Sequence, residues 1–235
     1  MKIVCIECRW LLAVSLVCLA VGFGQNVQAE DFKPLFNGKD LTGWDGNPDF
    51  WSVQDGVITG QTTPEKPTKG NTFLIWRDGE VGDFELKAEY KIQGGNSGIQ
   101  YRSKEVSKWV IGGYQADIDA AGQWAGTNYE EKGRGVLAAR GQKVTIDQEG
   151  KKTAESLGDS AELKKVLKDG DWNLYELTVK GNHLIQKING QVMSEVIDNQ
   201  PNKLAKTGLL ALQLHAGPPM TIQFRNIQLK TLKSE

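Results

Sequence analysis

Beyond residue 18 the chain has no cysteine: Cys5, Cys8 and Cys18 are the only three in its 235 residues. All of them fall inside what reads as a cleavable leader, so the exported protein has no thiol nucleophile, no disulfide and no cysteine metal site. Histidine is nearly absent too, with only His183 and His215. Removing Lys2, Arg9 and Glu7 from 28 basic and 29 acidic residues leaves 26 against 28, a net charge of −2. That balance gives neither nucleic acid nor an anionic membrane surface a basic patch to hold. A Ser–His–Asp arrangement, a Walker loop, a dinucleotide-binding glycine motif and an HExxH helix are all missing, which removes serine hydrolase, nucleotide and zinc-protease readings.

The leader is read from Lys2 and Arg9, the short apolar run from Trp10 to Phe23, and the small-x-small site Val27-Gln28-Ala29. The run is too short for a stable membrane span. Val17 stands before Cys18 where a lipoprotein anchor would want Gly or Ala, so cleavage is expected after Ala29. Residues 1–29 are then a signal peptide, and 30–235 form a single domain in the periplasm or outside the cell, with no membrane contact after cleavage. About 200 residues without disulfides are enough for one self-supporting core.

What the mature chain does have is strand signal. In Asp83–Ile92 the residues Phe84, Leu86, Ala88, Tyr90 and Ile92 alternate with Asp83, Glu85, Lys87, Glu89 and Lys91, a half-buried strand with a solvated face. Tyr175–Gly181, His183–Ile188 and Gln191–Ile197 make a hairpin series, with Asn189-Gly190 as a two-residue turn. Further strands are expected at Trp51–Val53, Val57–Thr59, Thr72–Trp76, Val136–Ala139, Lys143–Ile146 and Thr221–Leu229, the last with a bulge near Arg225-Asn226. Asp159 or Ser160 can cap one helix, Ala161–Lys168. Thr62–Gly70 and Asp147–Gly158 read as surface excursions. The expected fold is all-β, an antiparallel sandwich of the jelly-roll kind with one short helix.

Three strands have an unusual outer face. Gly94–Arg102, Gly113–Asp119 and Leu210–Gly217 turn Ile99, Tyr101, Tyr114, Ala116, Ile118, Leu210, Leu212 and Leu214 one way. Gln100, Arg102, Gln115, Asp117, Asp119, Gln213 and His215 face the other way. Compact, directional donors and acceptors beside glycine-rich turns suit a polyhydroxylated ligand better than bulk water. The plainer alternative is three solvent-facing strands of mixed composition. Asp117 and Asp119 share a side, about 7 Å apart by strand rise. They could split their proton affinities, hold a divalent cation or hydrogen-bond a sugar. The loop that follows, Ala120–Leu137, offers Trp124 and Tyr129 for stacking and Glu130 and Glu131 as carboxylates, or it is a surface loop with a tucked tryptophan.

The segments Phe32–Trp44, Trp51–Ile58, Phe84–Leu86, Asn96–Arg102, Gly113–Ile118, Trp172-Asn173, Ile188–Gly190 and Phe224–Ile227 resemble, in order, the 3-keto-disaccharide hydrolase domain family. The resemblance covers essentially the whole mature chain. It implies a concanavalin A-like sandwich that cleaves glycosides already oxidised at sugar C3. A base takes the C2 hydrogen, the C1 substituent leaves with help from an acid, and water adds back. No cofactor is required. The chemistry differs from the two-carboxylate displacement of ordinary glycosidases. It suggests Asp117 as base, His215 or Glu131 as acid, and Arg102 with Gln115 at the keto oxygen. Asn96, Gln100, Asp119, Trp124, Tyr129, Arg134 and Gln213 are the expected sugar contacts. Relatives often read Tyr-Asp-Glu where this chain has Tyr129-Glu130-Glu131, which puts Glu130 in question. A non-catalytic, lectin-like carbohydrate-binding module on the same fold is the competing reading.

Overall fold

The computed structural model describes residues 31–233, so the expected signal peptide lies outside the described residues. In chain order the first strands are β1 (Lys33–Pro34), β2 (Trp44–Asp45), β3 (Trp51–Gln54), β4 (Val57–Thr62), β5 (Thr72–Trp76) and β6 (Phe84–Gln93). They are followed by β7 (Asn96–Ser107), β8 (Val110–Asp119), β9 (Asn128–Glu131), β10 (Gly135–Ala138), β11 (Gln142–Ile146) and β12 (Lys152–Ser156). After α1 (Ser160–Lys164) come β13 (Asn173–Lys180), β14 (His183–Ile188), β15 (Gln191–Asp198), β16 (Leu209–Leu214) and β17 (Met220–Thr231).

The strands form two sheets. A ten-stranded sheet runs β12-β11-β15-β14-β13-β6-β17-β4-β3, with β1 added alongside β17, and a seven-stranded sheet runs β10-β9-β8-β7-β16-β5-β2. The inner faces carry the residues that the alternation assigns to the core. Leu86, Ala88 and Tyr90 of β6 meet Ile99, Tyr101, Tyr114, Ala116, Leu210 and Leu212 in one buried cluster. Burying these faces is what holds two amphipathic sheets together, since each apolar side chain removed from water contributes about 1.5–3 kcal/mol. Tyr101 and Tyr114 stack across β7 and β8 with ring centroids 5.6 Å apart.

Four local expectations change. The sheets are not wholly antiparallel, because β11 runs parallel to β15. Asp147–Gly158 contains β12, an edge strand on β11 with all five residues exposed, so it has no apolar alternation to reveal it. Part of Ala120–Leu137 is also strand, β9, which joins β8 to the β10 expected at Val136–Ala139. The helix ends at Lys164, although Asp159 caps it by accepting from the Ala161 and Glu162 amides. Asn189 and Gly190 both take positive φ, 51° and 79°, as the tight turn between β14 and β15 demands. The register of β17 shifts between Arg225 and Gln228, where the bulge was expected.

Candidate functional site

The outer face of the seven-stranded sheet holds a cleft of about 690 Å³ over β8 and its neighbours β7, β9 and β10. Its floor is built by register. Gly98 lies opposite Asp117, Asn96 opposite Asp119, and Gln115 between Gln100 on β7 and Tyr129 on β9. His215, just beyond β16, and the Gly94-Gly95 turn form one wall, and Trp124, Tyr129 and Val136 form the other. Trp124 and Val136 are 45% and 37% exposed, and both stand over the cleft.

Asp117 is the chemical centre of this floor. It is 5% exposed and its Oδ1 accepts a 2.7 Å hydrogen bond from Gln115 Nε2. Burial pushes its carboxyl up from 3.8 to about 7; the Gln115 bond opposes the rise, and the nearby charges of Glu131 and Asp119 add to it. No lysine or arginine is among the residues lining the cleft; Lys132, largely exposed, comes within 3.9 Å of Glu131, and Asp117 has no cationic partner. Gly98 makes this arrangement possible. A Cβ at that position would lie 2.6 Å from Gln115 Cγ, so only glycine leaves room for the glutamine to lie across β7.

Around it, Asp119 Oδ2 accepts from the Gln123 and Trp124 amides at 2.6 and 3.1 Å and so shapes the loop that carries Trp124. His215 Nδ1 lies 2.5 Å from the Ala216 carbonyl. A carbonyl can only accept, so this nitrogen carries a proton and Nε2 is left for a ligand. Burial, with Glu131 and Asp117 nearby, raises the Tyr129 phenol, which therefore stays a neutral donor. As for a divalent cation, no group of three or more His, Cys, Asp or Glu side chains among the described residues could hold a metal ion. Asp117 and Asp119 supply two carboxylates to the cleft, with Asp119 already tied to its loop.

Asn96, Gln115, Asp117, Asp119, Trp124, Tyr129, Glu131 and His215 thus come together. Four expected residues do not line the cleft. Arg102 is the clearest correction. A register break after Tyr101 and a φ of 45° turn it away from the outer face. It is fully buried, donating to the Gly82, Gly181 and Ala205 carbonyls and to Asp83. Arg134 likewise faces away from the cleft, bonded to Glu130 and to Asp198, which also accepts from Tyr114 at 2.5 Å. Burial pulls the Arg134 guanidinium down, but the hydrogen bonds and charges of Asp198 and Glu130 more than offset it and hold it charged. The Glu130 that departs from relatives therefore belongs to this network. Gln100 and Gln213 are fully buried and are not among the cleft-lining residues. Val136, which no motif marked, lines the wall because β10 is an edge strand whose outer face is part of the cleft.

With this geometry in view, the chain can be compared with known proteins. A model of the 3-keto-alpha-glucoside-1,2-lyase-like domain matches residues 31–230. The chain belongs to this family. A solved structure from Parabacteroides distasonis ATCC 8503, provisionally named a glycosyl hydrolase, shares 23% identity at a TM-score of 0.57, covering 86% of this chain and 100% of its own. The carbohydrate binding module CBM66 from Bacillus subtilis aligns at 13% identity and a TM-score of 0.55, over 81% of this chain and 97% of its own. A Bacillus subtilis protein with a galectin-like fold aligns at 12% identity and 0.55, over 87% and 96%. At these identities the structures share the sandwich and nothing finer. No curated protein matches the chain. For this 3-keto-glucoside-lyase-like domain, family and fold together support a carbohydrate-related role.

Proposed function

We propose that the cleft binds a neutral glycoside oxidised at C3 of the sugar and cleaves its C1 bond by elimination, with Asp117 as the base. The supporting observation is Asp117 itself, a cleft-floor carboxyl with no cationic partner and a proton affinity near neutrality. That affinity suits a group that must take a carbon-bound proton and release it again near pH 7. The keto group acidifies the C2 hydrogen. Asp117 takes it, the C2 electron pair enters the enolate, and the enolate closes the C1–C2 double bond as the C1 oxygen departs. His215 or Glu131 gives that oxygen its proton. Water adding across the double bond, hydroxyl to C1 and proton to C2, completes hydrolysis. With Arg102 elsewhere, Tyr129 and Asn96 are the neutral donors available to the enolate oxygen. The three cleft carboxylates disfavour anionic sugars.

The competing reading is a cleft that only binds sugar, for which aromatic and amide groups suffice. A matched pair of chromogenic glucosides, one plain and one 3-keto, separates the two when offered to the wild type and to Asp117→Asn. Release from the keto substrate alone, lost in the variant, is the expected result. Sugar binding without release from either substrate would refute the base and leave a lectin-like module. Release from the plain glucoside would instead indicate ordinary glycosidase chemistry.

A further inference from the structure

Behind Asp117 runs a chain of side-chain hydrogen bonds with one direction. Ser103 Oγ donates to Gln100 Oε1 at 2.7 Å, Gln100 Nε2 donates to Gln115 Oε1 at 2.7 Å, and Gln115 Nε2 donates to Asp117 Oδ1 at 2.7 Å. Ser103, Gln100 and Gln115 are all buried, so water cannot substitute for a lost partner. Each link forces the next. An ionised Asp117 only accepts, so the Gln115 amide must present its nitrogen there and its oxygen to Gln100. Gln100 must then present nitrogen to Gln115 and oxygen to Ser103, whose hydroxyl has to donate. Ser103 Oγ also lies 2.9 Å from the Tyr101 carbonyl and 3.4 Å from that of Tyr114. These three acceptors share one hydroxyl proton, and the Gln100 oxygen, at 2.7 Å, is the nearest of them.

We infer that Ser103 and Gln100 are positioning residues that hold Asp117 Oδ1 as a permanent acceptor and leave Oδ2 as the only oxygen that takes the substrate proton. This deepens, and rests on, the proposed role of Asp117. A proton arriving on Oδ1 would face the Gln115 N–H and break the chain, whereas one arriving on Oδ2 leaves every link intact. No hydrogen bond among the described residues engages Oδ2. The two oxygens are therefore inequivalent before any ligand arrives, and the base is aimed without a cationic partner. Gln100, expected to touch sugar, acts instead through Gln115.

The test follows the Asp117 carboxyl by carbon-13 NMR across pH, its signal identified by its absence in Asp117→Asn, alongside the pH profile of 3-keto-glucoside cleavage. In Gln100→Met the Gln115 oxygen loses its donor, leaving the amide held through its nitrogen alone by Asp117 and, at 3.5 Å, Gln213 Oε1, and in Ser103→Ala the far end is freed. Both variants should keep the wild-type circular dichroism. Both should move the Asp117 midpoint upward, Gln100→Met by about one pH unit. The activity midpoint should move with it, and kcat should recover at high pH. Folded variants with an unmoved Asp117 midpoint overturn the inference, and Ser103→Ala alone decides it if Gln100→Met does not fold. A wild type that cleaves neither glucoside, or an active Asp117→Asn, overturns the assignment of the base. The NMR midpoints then still judge the chain.

Discussion

Asp117→Asn should make the protein more stable, and by an amount that depends on pH in a defined way. The folded carboxyl sits at about 7 against 3.8 for a free one. Each pH unit between those values is worth about 1.4 kcal/mol, so ionising Asp117 in the folded protein costs about 4 kcal/mol, an upper figure because buried sites relax. The folded state binds the extra proton, so the stability attached to it is fully present below pH 3.8 and is lost as pH rises toward 7. Above 7 nothing further is lost. Asparagine keeps an oxygen for Gln115 and never ionises, so it escapes the loss. Melting temperatures of the two proteins, measured from pH 4 to 9, should nearly coincide at the acid end. The variant should pull ahead by about 10 °C at pH 8, at 2–4 °C per kcal/mol for a domain of this size. A gap of constant size across that range, or a less stable variant at pH 8, would refute the burial of an uncompensated carboxylate.

Cleavage of a 3-keto-glucoside should rise with pH on the acid side of about 7, because the base must be ionised; activity undiminished well below 7 contradicts the assignment. Gly98→Ala places a Cβ 2.6 Å from Gln115 Cγ and should cost about 1–3 kcal/mol in urea unfolding. It should also lower kcat/KM at least tenfold by displacing the glutamine that holds Asp117. Arg102→Met leaves Asp83 and three carbonyls without their partner. It should lose about 3–5 kcal/mol. Calorimetry should find its sugar affinity unchanged, since the residue is far from the ligand.

The alternation of Phe84 to Ile92 and the Asn189-Gly190 turn disclosed the sandwich because side-chain parity and turn geometry are local properties. Parity also found Gln115, Asp117, Asp119 and His215. It failed at Arg102, where a single residue with positive φ reverses the face, and nothing in the run Ile99-Gln100-Tyr101-Arg102 announces that reversal. Arg134, expected at the sugar from the resemblance alone, is held elsewhere by Asp198, 64 positions away in the chain. The parallel pairing of β11 with β15 depends on neighbours chosen across the sheet. The roles of Gly98 and Ser103 are visible only once β7 and β8 are in register, because Gly98 makes room for Gln115 of the facing strand and Ser103 reaches it through Gln100 of its own strand.

The last strand of the chain is not an edge. β17 lies inside the larger sheet, between β6 and β4, and β1 also pairs with it. During synthesis that sheet stays in two pieces until Met220–Thr231 has emerged, and its closing contacts join segments more than a hundred residues apart. Closures of such long range are slow. The larger sheet therefore remains unfinished until β17 is free, and a frameshift or stop at Met220 removes the strand that joins β6 to β4.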